Sequence, residues 1–312
     1  MSPARTAAST PPRALRAGDL VAAVAPAGPA DPARVAEGTA LLTSWGLRVR
    51  PPADLGPADT TWHAGPDAAR PRAVTGAWCD PEVTAVWALR GGVGCQRVVD
   101  LLDLPAMADA AARYGPRLLV GYSDVTALHQ ALGAGLGLGG VHGAGVASLP
   151  GLLPDAAEDQ RALLLGESAP TLVGRAGAGG SATGPLVGGN LTVLAAGVGA
   201  PGVLPAAGRV VLLEDVGEAP YRLDRALTQL SRSGWLEGCL GVAVGQLTRC
   251  GEPTVARDVL LLRLRALGVP VVTDLPLGHD PDSRAVPLGA AVRLDGDAGT
   301  LTVLEPLEPP GP

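Results

Sequence analysis

Residues 116–134 read PRLLVGYSDVTALHQALGA, and this stretch decides the fold class. The apolar run Leu118-Leu119-Val120 is bounded by Pro116 and Gly121, which marks a short buried strand. A helix-forming run begins by Val125, with Ser123 at the junction. The same succession recurs upstream. LVAAVAP (20–26) predicts a buried strand, followed by a helix over about 32–46 that ends near Gly46. LRVRPP (47–52) predicts a second short strand, and the Gly/Pro/Asp-rich stretch 55–72 predicts a loop. PEVTAVWAL (81–89) leads into a strand ended by Arg90-Gly91-Gly92, with a helix expected to about 103. Strands alternating with helices imply a parallel sheet covered on both faces. In such sheets chemistry gathers at the carboxyl ends of the strands.

The second half has a different texture. Residues 147–183 hold LPGLLP, an acidic helix-like segment and most of the glycine-rich GRAGAGGSATG, and read as a linker. Strands are expected at RVVLLED (209–215), CLGVAVGQL (239–247), VPVVTD (269–274), AAVRLD (290–295) and TLTVLE (300–305). Helices are expected over 187–198, 221–233 and 253–267. DGDAG (295–299) between the last two strands predicts an antiparallel hairpin. The expected fold is α/β: an N-terminal parallel-sheet domain over 1–150, a linker over 151–183 and a C-terminal mixed α/β domain over 184–312. The tail PLEPPGP reads as disordered.

Composition narrows the function. The chain has 312 residues, 47% of them hydrophobic, with a net charge of −6. No basic stretch could neutralise a run of phosphates, so nucleic acid is excluded as a partner. Apolar runs stop well short of ~20 residues, so no membrane span is expected. The first residues lack the apolar core of a secretory signal, which points to the cytoplasm. All 24 basic residues are Arg, and the chain has no Lys, Ile or Phe and one Asn, Asn190. That bias fits a GC-rich genome, and against it Asn190 and the tyrosines Tyr114, Tyr122 and Tyr221 carry extra information. Cys79, Cys95, Cys239 and Cys250 have no zinc spacing and read as small buried hydrophobes, so no metal or cofactor is expected.

Four segments could carry chemistry. Ser123 at a tight strand-to-helix turn is either a helix cap or an exposed nucleophile. Gly91-Gly92 is either an ordinary turn or a loop whose N–H groups face a ligand. Glu214 and Asp215 end a buried strand, where they cap the next segment or orient another group. His279 lies in a glycine-containing loop, on the surface or in a site. His129 reads as a packed side chain, and His63 could line a cleft rim. Together these supply nucleophile, acid and base in the order Ser…Glu…His, with a glycine loop as oxyanion donor, and indicate an α/β enzyme of serine-hydrolase type.

The segments VAAVAPAGP (21–29), VWALRGGVGCQRVVDLLD (86–103), GYSDVTALHQAL (121–132), HGAG (142–145), GPLVGGNLTVL (184–194), VVLLEDVGEAPYRLDRALTQL (210–230), GVAVGQL (241–247) and PLGHDPDSRAVPLGA (276–290) occur in the order found in the LD-carboxypeptidase family of serine peptidases, which the chain resembles. That family includes murein tetrapeptide carboxypeptidases and microcin C immunity proteins. The resemblance implies a flavodoxin-like N-terminal domain and a mixed α/β C-terminal domain with the site between them. It implies Ser123 as nucleophile, His279 as base and Glu214 as its orienter, with Glu218 the other candidate acid. It also implies backbone oxyanion donors at Gly92 and Asp124. The implied substrate is a cytosolic muropeptide that loses a terminal D-residue, D-alanine, in peptidoglycan recycling, and the implied assembly is a homodimer. The alternative within the resemblance is cleavage of an aminoacyl-nucleotide amide, as microcin C immunity proteins do. That reaction calls for an aromatic platform, and 147–183 holds no aromatic residue. The chain departs from the family pattern at Ala27, at Ala144 in HGAG and at Gly199-Ala200-Pro201.

Overall fold

The computed structural model describes residues 10–308. Of the tail 306–312 expected as disordered, Leu307 is buried and Glu308 O accepts from Ala14 N at 2.8 Å, so its first residues are packed on the N-terminal segment; residues 309–312 lie outside the described range. The first half builds one sheet. Strands β1 (Leu20–Val24), β2 (Arg48–Arg50), β3 (Val83–Ala88), β4 (Leu118–Gly121) and β5 (Val141–His142) run parallel in the order β2-β1-β3-β4-β5. This is the flavodoxin-like doubly wound order, with its switch point between β1 and β3. Helices α1 (Pro32–Ser44), α2 (Ala69–Cys79), α3 (Cys95–Val99), α4 (Leu104–Tyr114) and α5 (Thr126–Leu136) connect them. The two faces carry separate cores, one around Trp87 and Leu42 and the other around Trp78 and Met107. Helices α2 and α4 are absent from the sequence reading; Arg70, Arg72 and the proline at 71 obscured the apolar stripe of the first.

Residues 151–183, expected as a linker, carry helix α6 (Pro154–Leu164), strands β6 (Thr171–Val173) and β7 (Arg175–Ala178) and the start of β8 (Ser181–Asn190). Helix α7 (Leu191–Gly197) is shorter than the helix expected over 187–198. Val187, Gly188, Gly189 and Asn190 belong to β8, and Gly188 and Gly189 take φ of 118° and 136°, which a helix forbids. Then follow β9 (Val210–Val216), α8 (Pro220–Arg232), β10 (Gly241–Thr248), α9 (Pro253–Leu264), β11 (Val271–Thr273), β12 (Val286–Pro287), β13 (Ala291–Asp295) and β14 (Thr300–Val303). The second sheet is mixed, in the order β6-β14-β13-β8-β9-β10-β11-β7. Its central strands β8 to β11 are parallel, and β13 and β14 form the expected hairpin. Strand β12 leaves this half and pairs antiparallel with β5, at the edge of the first sheet.

Local chemistry sets the helix ends. Asp31 caps α1 by accepting from Ala33 N at 2.9 Å, with Pro32 at the first helical position. Asn190 caps α7 by accepting from Val193 N at 3.1 Å. Gly137, in the left-handed region, closes α5. No helix among the described residues is long and apolar enough to cross a membrane.

Helix α1 lies hard against the loop after β5. A Cβ on Gly38 would come within 1.8 Å of Val146 O, so only glycine permits this approach. Gly38→Ala gains about 1 kcal/mol of helix propensity. Against that stands overpacking against a backbone carbonyl, at about 1–3 kcal/mol or more. Chemical denaturation should therefore find Gly38→Ala less stable than the parent; a more stable variant would show that α1 is free to shift.

Candidate active site

The candidate side chains converge where β3 and β4 end at the first sheet and β9 ends at the second. The turn after β4 is tight. Tyr122 is still extended, and Ser123 takes φ of 60°, a left-handed conformation rare for a residue with a Cβ. Residues 123–125 form a single 3₁₀ turn and α5 continues from it. Such a turn lifts the serine side chain out of the strand plane. The facing loop accommodates it with glycine: a Cβ on Gly91 would lie 2.6 Å from Ser123 Cβ and 2.8 Å from its Oγ. Gly92, at φ 127°, lines the same cavity as Ser123. Asp124, the residue after the serine, turns its carboxylate away and accepts from Cys95 N at 2.8 Å, which ties the turn to α3.

Glu214 occupies β9 and is fully buried. Its Oε2 accepts from His279 Nδ1 at 2.8 Å. Its Oε1 and His279 Nε2 have no hydrogen-bond partner among the described residues. Burial pushes the Glu214 carboxyl above its ordinary range, and the His279 imidazole opposes that shift. Glu218, the other candidate acid, is partly exposed and pairs instead with Arg222 at 3.5 Å, four residues on. His279 shares a cavity of about 180 Å³ with Ser123, yet no hydrogen bond joins the two.

Tyr122 completes the arrangement. Its ring packs against the His279 ring at 4.7 Å between centroids, tilted by 43°, and its hydroxyl donates to Ser148 Oγ at 3.3 Å. It also meets His142 edge to face at 6.2 Å. The sequence singled out Tyr122 as retained against the compositional bias but could not say what it touched. His63 is buried against Gly94 rather than lining the cavity. His129 is packed, as expected, with Nε2 on Gly121 O at 2.9 Å. Asp31, Arg34 and Arg90 also line the cavity, and the sequence reading missed all three as site residues. Three of the four cysteines are buried and all are unpaired. Among the described residues no cluster of His, Cys, Asp or Glu is arranged to hold a metal ion.

Two buried histidines give a pH signature. Burial lowers His142 to about 3 and His129 to about 4, while both titrate near 6.5 when unfolded. Each is neutral in the folded chain. As pH falls below 6.5 the unfolded chain takes up protons that the folded chain refuses, so their contribution to stability declines until the folded values are reached. Urea denaturation should show lower stability at about pH 5 than at about pH 7, with a shallower decline in His142→Gln. An equal decline in that variant would mean His142 is protonated or solvated in the folded state.

The family models for the LD-carboxypeptidase N-terminal domain and the LD-carboxypeptidase C-terminal domain match residues 21–143 and 183–294. The chain is 43% identical over 302 residues to a Streptomyces coelicolor protein named provisionally as a carboxypeptidase, covering 95% of this chain and 96% of that one. It is 36% identical over 233 residues to the murein tetrapeptide carboxypeptidase of Pseudomonas aeruginosa, covering 70% and 74%. Among solved structures, muramoyltetrapeptide carboxypeptidase from Oxalobacter formigenes superposes with a TM-score of 0.79 at 28% identity, over 91% of this chain and 97% of that one. The microcin C7 self-immunity protein MccF in complex with aspartyl sulfamoyl adenosine gives a TM-score of 0.83 at 19% identity, over 96% and 99%, a likeness of fold alone.

Proposed function

The chain belongs to the LD-carboxypeptidase family, and from that premise we propose that it is a serine peptidase that removes the terminal D-residue, D-alanine, from murein tetrapeptides. The observation that carries this reading is the buried Glu214–His279 bond at the cavity Ser123 lines. Ser123 attacks the peptide carbonyl, and His279 Nε2 takes its proton and returns it to the leaving amine. Glu214 holds the imidazole through Nδ1 and stabilises its charged form. The unpartnered Nε2 is the nitrogen this role requires. Backbone N–H groups of Gly92 and Asp124 receive the oxyanion, a stabilisation of about 3–4 kcal/mol per donor in enzymes of this type. The left-handed turn and Gly91 bring the serine within reach of that loop.

The setting we infer is peptidoglycan recycling in the cytoplasm, by a homodimer. Unpaired cysteines fit a reducing compartment. Sedimentation tests the dimer; only monomer at micromolar concentration would reject it.

Incubation with a murein tetrapeptide and, separately, with an aminoacyl sulfamoyl adenosine, read by mass spectrometry, tests the substrate. Release of D-alanine from the first supports the reading; cleavage of the second alone replaces it with the immunity-type activity. Ser123→Ala should remain folded and lose nearly all hydrolysis. His279→Ala should be comparably severe, since members of such a set act as a unit. Glu214→Gln keeps the shape and loses the charge, so its activity should fall strongly, whereas Glu218→Gln should stay near the parent rate. The reverse order for the two glutamates would reassign the acid, and full turnover by Ser123→Ala would remove the serine mechanism.

A further inference from the structure

We propose that Arg90, assisted by Arg34, forms the subsite that holds the free carboxylate at the end of the substrate, and so makes the enzyme act only on a chain terminus; this rests on the carboxypeptidase reading above. An enzyme that releases one residue must recognise a carboxylate lying a single residue beyond the bond it cuts. The group that does so has to share the cavity of the nucleophile. Two guanidiniums meet that condition, since Arg34 and Arg90 line the cavity with Ser123 and His279.

The two arginines differ in what already occupies them. Arg34 pairs with Glu37 at 3.2 Å on the exposed side of α1. Its other end passes Gly151, where a Cβ would come within 2.9 Å of Nη2. Arg90 is exposed and makes one long bond, from Nη1 to Pro29 O at 3.4 Å. No carboxylate among the described residues forms an ion pair with it. In a chain of net charge −6 an uncommitted cation beside the proposed nucleophile stands out. The lining also holds Asp31, but its Oδ1 is engaged at the start of α1. A guanidinium offers paired N–H donors that match a carboxylate in a fork, a fit a lysine lacks.

A phosphate could exploit the same cations, so an aminoacyl nucleotide is the competing ligand. The cavity favours the carboxylate. At about 180 Å³ it is smaller than the roughly 300–1,000 Å³ of pockets that enclose a drug-sized molecule. The aromatic rings in its lining, Tyr122 and His279, pack on each other, and the His279 ring is also held by Glu214.

The test uses the full chain carrying Ser123→Ala, which binds without turnover. A murein tetrapeptide with a free terminal carboxylate and the same peptide as its C-terminal amide are titrated calorimetrically, with aminoacyl sulfamoyl adenosine as a third ligand. The acid should bind about tenfold tighter than the amide, or more. Adding Arg90→Leu should remove most of the acid's advantage, with Arg34→Leu in the same chain removing the remainder, and leave the amide unchanged, which also reports that the variant is folded. Arg90→Lys should recover part of the preference. Equal binding of acid and amide before any arginine is changed overturns the proposal, as does an undiminished preference in Arg90→Leu. A loss in Arg90→Leu confined to the nucleotide analogue overturns it in favour of a phosphate site. Turnover of the acid peptide by the parent enzyme is measured alongside. Its absence with acid-selective binding intact counts against the peptidase reading and not against the subsite.

Discussion

A buried carboxylate, Asp215, fixes the segment of the second half that reaches across to the first. Its Oδ1 accepts from Asn190 Nδ2 at 3.1 Å, and its Oδ2 accepts from Thr192 N at 3.0 Å and from Thr192 Oγ1 at 2.7 Å. The backbone N of Asn190 in turn donates to Thr126 Oγ1 at 3.0 Å, and Thr126 opens the helix that follows Ser123. The turn bearing the proposed nucleophile is thereby tied to the strand bearing Glu214, although 91 residues separate them in sequence (214 − 123). Gly189 makes the contact possible, since a Cβ there would lie 2.5 Å from Thr126 Oγ1. The single asparagine of the chain therefore has three tasks at one point: it caps α7, binds Asp215 and joins the sheets.

This arrangement explains which parts were legible in the sequence. The strand-to-helix turn at Ser123, the parallel succession before it and the β13–β14 hairpin are local, and apolar runs with turn residues at their ends reveal such features. What sequence periodicity cannot carry is pairing at a distance. The glycines of GPLVGGN looked like the start of a helix because their left-handed backbone is imposed from outside the segment; a Cβ on Gly188 would lie 2.1 Å from Leu212 O of the neighbouring strand. Likewise β12 joins the first sheet by pairing with β5, from nearly 150 residues further along the chain. The glycine-rich 174–184 stretch forms strands because β11 and β13 supply the hydrogen-bond partners that its own side chains do not suggest.

The site shows the same division. Ser123, Glu214 and His279 stood out as candidates in their segments, each at a strand end or in a glycine loop, and the family resemblance supplied the roles expected of them. Arg34 did not, since nothing in the α1 sequence distinguishes an arginine that lines the cavity from a solvated one. Its place follows from the packing of α1 on the loop after β5, which Gly38 permits. The choice between Glu214 and Glu218 was equally closed to spacing. Four residues separate them, but Glu214 is on the last turnward run of a buried strand while Glu218 precedes α8 and finds Arg222 four residues on.

Adjacent carboxylates on one strand would ordinarily repel, and the way this chain tolerates the pair separates framework from chemistry. Strand alternation sends Glu214 and Asp215 to opposite faces. Asp215 has its oxygens bound by Asn190, Thr192 and Val216 N, the last at 2.8 Å. A carboxylate satisfied in this way is a fixed joint, with two donors on each oxygen. Glu214 is as deeply buried, but its one close side-chain hydrogen bond is to His279, with the Asn190 amide nearby also lowering its carboxyl, and its Oε1 is left unpartnered. Native interiors seldom leave a buried polar atom unpaired, and beside a histidine that lines the cavity such an atom is consistent with the role proposed for Glu214. An under-satisfied carboxylate that can strengthen its single bond when the imidazole gains a proton suits a step in which positive charge appears on His279. The two residues thus divide the labour of one strand end: Asp215 fixes the geometry, and Glu214 bonds the proposed base through Oε2 while Oε1 stays unpartnered.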